Sequence, residues 1–286
     1  MKAQLACIPC IMKQAYNTAV RATDDPNLIR RILDATADYV KTLDFESTPA
    51  DTSNFVYRIT REITGNSDPY REDKKRFNDL CLEKTQSLRA IISSSDDPVR
   101  TASRLAILGN VIDLGIGFTF DLDRELGNFL VRELAADDYD SFKSILSSGR
   151  KRILFLGDNA GEIVFDMLLI ELLADSHDIT YTVKRGPIIN DSTIEDADYV
   201  GLSDIVRIID TGSDGIGVKW DSVSDEFIAE YEAADLIISK GQGNFETMCD
   251  TKKEIFFLLK AKCDSVADML GVRFNDIVFK RGPILY

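Results

Sequence analysis

The sequence predicts an α/β fold: a doubly wound, mostly parallel sheet in a Rossmann-like three-layer arrangement, with an N-terminal helical domain. Three observations carry this. Residues 1 to about 148 place their apolar positions at helical spacing. From residue 153 the period changes, and short apolar or β-branched runs recur as ILFLG (153–157), ITYTV (179–183), IVRII (205–209), LIIS (236–239) and IFFLL (255–259). Helical segments or loops alternate with these runs, which is the βαβ pattern. Between the halves lies Ser147-Ser148-Gly149-Arg150-Lys151, the best internal linker. The expected division is therefore 1–148, helical and covering a crevice, and 149–286, α/β and ligand-binding.

In chain order, Pro9 to Val20 reads as the first helix. Asp24-Asp25-Pro26 supplies acidic caps and a first-turn proline before LIRRILDATADYV, whose Ile29, Ile32, Leu33 and Ala37 form one stripe. Thr52 to Ile63 and Tyr70 to Ile92 continue the pattern. Asp96-Asp97-Pro98 repeats the start signal before VRTASRLAILGN, and Asp121 to Ala135 and Tyr139 to Leu146 read as further helices. In Gly109-Asn110-Val111-Ile112-Asp113, Asn110 suits a left-handed helix C-cap, or else Asn110 and Asp113 reach the rim of the crevice. Near the end, DIVFKRG suggests an edge strand.

Composition narrows the chemistry. With 286 residues, 44% hydrophobic and 29% charged, the chain can bury a substantial core and does not read as disordered. A net charge of −14 with no basic run argues against nucleic-acid binding. No apolar run is long enough to span a bilayer, and MKAQLACIPCIMKQA lacks a cleavable apolar leader, so a cytoplasmic protein is expected. Five cysteines, an odd number, argue against a disulfide scaffold. Cys7 and Cys10 form a single C-x-x-C without a second ligand pair nearby. The only histidine, His177, sits in a loop-like stretch, so any metal site must use oxygen or sulfur.

The residues just after each strand carry the chemistry. After ILFLG come Asp158, Asn159 and Glu162, and the chain turns at once into a helix from Ile163. After ITYTVK come Asn190 and Asp191. After LIIS comes Lys240-Gly241-Gln242-Gly243-Asn244, and after IFFLL comes Lys260. In a parallel sheet these carboxyl ends share one side, where open α/β sheets bind ligands. Two Asp and an Asn can thus converge with two Lys and a glycine-rich loop. The oxygens suit a hard divalent ion, and the lysines and backbone N–H groups suit a phosphate.

GDNAGE (157–162), GPIINDST (186–193), SKGQGNFE (239–246) and LLKAKC (258–263), in this order, resemble the metal-dependent damage-control phosphatase family, also called the acidic-residue-methyltransferase-like family. CIPC (7–10) and GNVIDLG (109–115) resemble its short, archaeal-type branch, so the likeness spans essentially the whole chain. It implies a divalent metal (Mn, Co, Ni or Mg) held by Asp158, Asn159 and Asp191, which are also the catalytic residues. It places Glu162 at the substrate and puts Lys240, Gly241, Asn244 and Lys260 on the phosphate, with Asn110 and Asp113 contributing. Glu162 follows Gly161 directly, where other branches insert a residue.

The expected function is metal-dependent hydrolysis of phosphate monoesters of small metabolites, such as sugar phosphates or damaged cofactor intermediates. Attack by water and a covalent aspartyl phosphate on Asp158 are both open. The alternatives are an S-adenosylmethionine-dependent carboxyl methyltransferase and a non-catalytic metal- or nucleotide-binding module. Against the first, GDNAGE lacks a G-x-G-x-x-G spacing, and the second strand ends in Lys184 rather than an acid.

Overall fold

The computed structural model describes residues 1–111, 127, 129 and 132–284. The first helices are α1 (Cys7–Ala22), α2 (Pro26–Val40), α3 (Pro49–Thr64), α4 (Arg71–Leu82), α5 (Thr85–Ser93) and α6 (Pro98–Val111). The start signals act locally. The Asp25 side chain accepts the Asn27 N–H ahead of α2, and Thr48 accepts the Asp51 N–H ahead of α3, each with proline in the first turn.

The helix expected to run from Tyr70 to Ile92 is instead two, broken between Leu82 and Thr85. The Thr85 hydroxyl donates to the Leu82 carbonyl and the Lys84 N–H to the Cys81 carbonyl, closing α4 without glycine or proline. Apolar spacing continues across the break through Phe77, Cys81, Leu88 and Ile92, so periodicity does not reveal it. Asp113 and most of the helix expected over Asp121 to Ala135 lie outside the described residues.

The rest of the chain runs β1 (Ala136–Asp137), α7 (Tyr139–Ser147), β2 (Arg152–Leu156), α8 (Glu162–Leu173), β3 (Asp178–Val183), α9 (Ile194–Val200), β4 (Arg207–Asp210), α10 (Asp225–Ala233), β5 (Leu236–Lys240), α11 (Gln242–Met248), β6 (Ile255–Lys260), α12 (Asp264–Leu270) and β7 (Ile277–Arg281). The strand order is β1-β7-β6-β5-β2-β3-β4. Strands β6, β5, β2, β3 and β4 are parallel, and β7 is antiparallel to β6. The segment expected as an edge strand, β7, is covered by β1, which pairs with it in parallel. Two residues are too few to show a period, so β1 was not expected.

Side chains alternate between the two faces of the sheet. In β2, Ile153 and Phe155 join the cluster under α4–α8, whereas Leu154 and Leu156 join the cluster under α10–α12. Strand β6 divides likewise, with Phe256 and Leu258 on the first face and Ile255, Phe257 and Leu259 on the second. Helix α8 is buried nearly all round because α6 covers it on the side away from the sheet; a Cβ on Gly109 of α6 would stand 3.1 Å from both Glu162 Cγ and Phe165 Cδ2. Hydrophobic packing therefore crosses residue 148: α4–α6 share a core with the sheet. Helices α1–α3 form a separate cluster around Ile11, Ile32, Val56 and Tyr57, which Ile188 joins from the loop after β3.

Glu246 in α11 is buried, accepts a hydrogen bond from the Gln242 amide at 2.9 Å, and has its pKa pushed by burial up to about 7. The folded chain thus keeps a proton that the unfolded chain releases near its ordinary carboxylate value. Stability from this group is present at low pH and is lost as pH rises through the folded pKa, by on the order of 3 kcal/mol. Glu246→Gln should flatten the fall in urea-unfolding free energy between pH 5 and pH 8. An unchanged slope would assign that fall to other groups.

Candidate metal centre

Strand β2 pairs with β3 on one side and β5 on the other, and the chain leaves β2 and β5 in different directions. This is the topological switch point, where a crevice opens beyond the strand ends. Loops after β2 and β3 are laced together there. The Ala160 N–H donates to the Asn190 carbonyl and the Ser192 N–H to the Asp158 carbonyl, both at 2.8 Å. Asn159 and Asp191 form an isolated antiparallel bridge. These bonds bring Asp158, Asn159 and Asp191 into one site.

Gly241, the first residue after β5, lies directly against Asp158. Its φ is +78°, and a Cβ there would meet Asp158 Oδ2 at 2.0 Å, so only glycine fits. From the other side comes Asn110. It lies within α6 rather than capping it, and its side-chain nitrogen donates to Asp158 Oδ2 at 2.9 Å and Glu162 Oε2 at 3.1 Å. Its oxygen accepts the Lys260 N–H at 3.2 Å. The Asn159 nitrogen makes the same pair of contacts, at 2.8 Å to Asp158 and 3.1 Å to Glu162, leaving its amide oxygen for a ligand.

The electrostatics are those of crowded acids. Burial, then the charges of Glu162 and Asp191, raise the Asp158 pKa well above the carboxylate range. Burial lifts Asp191 to about 6, against the opposing pull of Lys184. Asp191 Oδ2 is buried and has no hydrogen-bond partner, and the Lys184 ammonium stands off at 3.8 Å. A buried carboxylate oxygen without a donor is costly unless something else takes it up.

A divalent cation fits this donor set: two carboxylates that repel each other, an amide oxygen, and no sulfur or imidazole. The set has only two acids, and no group of three or more His, Cys, Asp or Glu side chains is poised to hold a metal among the described residues.

The expected phosphate contacts fall differently. Lys240 is the last residue of β5, not the first of the loop. It shares the parity of Leu236 and Ile238, so its side chain enters the α6–α8 layer rather than the crevice. Its ammonium is fully buried and donates to Glu162 Oε1 and Asp166 Oδ1, both at 2.6 Å, and to the Ala106 carbonyl at 2.8 Å. All three protons are used, so none is left for a phosphate. Burial alone would lower its pKa, but Asp166 and Glu162 outweigh that and raise it. The Asn244 amide is likewise spent, on the Gly157 and Lys240 carbonyls, which ties the ends of β2 and β5 together. Gly241 directs its N–H to the Leu258 carbonyl. Glu162 is buried among Lys240, Asn110 and Asn159. Lys260 closes β6, half-buried.

Two cations at the site were not foreseen. Lys184 is buried, donates to the Gly217 carbonyl at 2.6 Å and faces Asp191. Lys262 is exposed, and its charge lowers the pKa of both Asp158 and Asp191. A lysine closing an apolar strand and a second lysine in LLKAKC were the signals available. All five cysteines are free; Cys7 packs against the α1–α3 cluster, and Cys81, buried on α4, lines a small cavity with Asn159 and Glu162. His177 lies at the opposite end of the sheet, accepting the Lys151 N–H.

The family profile for the damage-control phosphatase ARMT1-like domain matches residues 3–278. The chain belongs to the damage-control phosphatase family. A protein named damage-control phosphatase from Archaeoglobus fulgidus is 36% identical over 289 residues, covering 98% of this chain and 99% of its own. Another of that name, from Pyrococcus horikoshii, is 34% identical and covers 98% of each chain. An uncharacterized protein of Methanocaldococcus jannaschii is 36% identical, covering 98% and 96%. The crystal structure of a DUF89 family protein from Pyrococcus horikoshii superposes with a TM-score of 0.90 at 34% identity, covering 98% of this chain and 99% of that one. These relatives of damage-control phosphatase name are phosphoric monoester hydrolases, and the superposed crystal structure shares with this chain both its helical N-terminal part and its sheet. No helix of the described residues is long and apolar enough to cross a membrane.

Proposed function

We propose that this chain is a metal-dependent phosphatase acting on phosphate monoesters of small metabolites, with Asp158, Asn159 and Asp191 holding one divalent ion of the Mn, Co, Ni or Mg group. The observation that carries the reading is the partnerless buried oxygen of Asp191 beside the raised-pKa carboxyl of Asp158 at the sheet's switch point. A divalent ion bound there supplies Lewis acidity and neutralises charge on a phosphoryl oxygen.

The chain's own groups do the rest. Asn110 and Asn159 fix Asp158 Oδ2, and Glu162 holds both amides in place. Lys184 keeps Asp191 ionised by facing it from inside. Lys262, on the open side, is the cation placed to meet the transferring phosphoryl group, with Lys260 beside it. Lys240 acts indirectly, by holding Glu162. The helical N-terminal part covers the crevice and meets the organic half of the substrate. Five free thiols suit a reducing cytoplasm.

No observation favours methyl transfer. The glycines of the first turn face Tyr181 and Phe77, whose atoms would stand 2.3 Å and 3.0 Å from an added Cβ, so this turn has no open cradle for a nucleotide. The deciding experiment is turnover of a generic phosphate monoester by protein stripped of metal and then resupplied with Mn²⁺ or Mg²⁺. Turnover that vanishes on stripping and returns on resupply supports the reading. Undiminished turnover without metal, or methyl transfer from S-adenosylmethionine, opposes it.

A further inference from the structure

A cleft of about 710 Å³ opens between α3 and the loops that follow β3 and β4. Its wall is unusual for a chain of net charge −14: it carries Arg58, Arg61, Arg185 and Lys219 against only Asp51 and Asp214. Arg61 is held in place, donating to the Pro187 carbonyl at 2.8 Å and to Asp214 at 2.7 Å. Arg58 lies over the Phe55 ring at 5.6 Å, with its nearest acid, Glu62, as far as 3.9 Å away. Arg185 is exposed and makes no ion pair among the described residues.

Asn54 of α3 ties the two walls of the cleft together. Asn54 uses its amide oxygen to accept the Ile216 N–H, while its amide nitrogen is buried with no acceptor. The facing loop is TGSDGIG (211–217), a glycine-rich turn at the carboxyl end of a parallel strand, with φ of +86° at Gly212 and +67° at Gly217. The turn's own N–H groups are taken, Gly212 by Asp210, Ser213 by Thr211, Gly215 by Ser213 and Ile216 by Asn54. What the cleft offers phosphate oxygens is its guanidinium forks, above all those of Arg58 and Arg185.

We propose that this cleft binds a phosphorylated small molecule at a site separate from the metal centre. Asp158, Asn159 and Asp191 do not line it. The two are joined by one loop: Gly186 and Ile188 line the cleft, and the Asp191 N–H donates to the Ile188 carbonyl at 3.0 Å. An occupant of the cleft therefore braces the loop that presents Asp191.

The test is calorimetric titration with inorganic pyrophosphate, using full-length protein freed of divalent ions by dialysis over a chelating resin, at two salt concentrations. Saturable binding to one site is expected, in the parent and equally in Asp158→Ala, weakening as salt rises. Arg185→Gln and Arg61→Met should each weaken it about tenfold or more, and Lys262→Gln should leave it unchanged. Arg185 makes no ion pair among the described residues, so its variant decides the matter if Arg61→Met does not fold. Absence of saturable binding, or binding indifferent to Arg185→Gln, overturns the proposal. The measurement needs no metal and no turnover, so the phosphatase reading and this one can fail separately.

Discussion

Replacing Asp191 with Asn should lower turnover of a phosphate monoester by on the order of a hundredfold or more, with the fold intact. The substitution keeps the shape of the side chain and removes the charge. It also places an amide where a partnerless carboxylate oxygen now lies 3.8 Å from Lys184. A neutral ligand in that position weakens metal binding, so the loss should appear in two readings that a folding defect would not produce together. Far-UV circular dichroism should match the parent. Added Mn²⁺ should raise the melting temperature of the parent by binding its native state, and should no longer do so in the variant. Parent-like turnover together with a parent-like metal-induced rise would remove Asp191 from the metal centre.

Lys240→Met should destabilise the protein by about 3–5 kcal/mol, because the change strands Glu162 and Asp166 as buried acids without their counter-charge. Both carboxylates lie 2.6 Å from the ammonium, and all three side chains are at most 1% exposed. Asp166 is already strained as an acid: burial pushes its pKa up to about 7 even with Lys240 beside it. The measurement is the urea midpoint, and turnover should fall with it as Glu162 releases Asn110 and Asn159. A lysine that held the phosphate would behave differently, losing turnover at an unchanged midpoint. That outcome would return Lys240 to the crevice. Adding Asp166→Asn to Lys240→Met should recover part of the lost stability, since one of the two stranded charges goes.

Much of this architecture is written in the period of apolar residues, and the errors follow from what a period cannot show. The runs at 153–157, 179–183 and 255–259 mark strands because both faces of a parallel sheet are buried. Asp158, Asn159 and Asp191 could be placed together because they follow neighbouring parallel strands. Lys240 was misplaced by one residue of strand length. Ending β5 at Ser239 gives the lysine to a loop, whereas ending it at Lys240 points the side chain, by parity, into the α6–α8 layer. The parity of Leu236 and Ile238 was visible, but a charged residue within a buried layer is rare unless paired, and its partners Glu162 and Asp166 are more than 70 positions away. Asn110 was legible as a helix cap or as a residue at the crevice rim, but its contacts with Asp158 and Glu162 were not, since only tertiary packing brings α6 over α8. Lys184 was read only as the end of its strand and Lys262 only as part of LLKAKC, because nothing local shows that either acts on the two acids.

The separate packing of α1–α3 bears on how such a chain can diverge. Positions in that cluster touch the sheet domain through Ile188, Ile189 and Ile216, and share no core with Phe155, Phe165 or Phe257. Substitutions there act largely independently of those under the sheet. Gly241 stands at the other extreme, closed to every side chain by its contact with Asp158. Lineages can therefore drift in what they recognise by rewriting helices α1–α3 and residues 186–188, while the switch-point turns, Asp191 among them, stay frozen. Innovation and constraint occupy different stretches of one polypeptide.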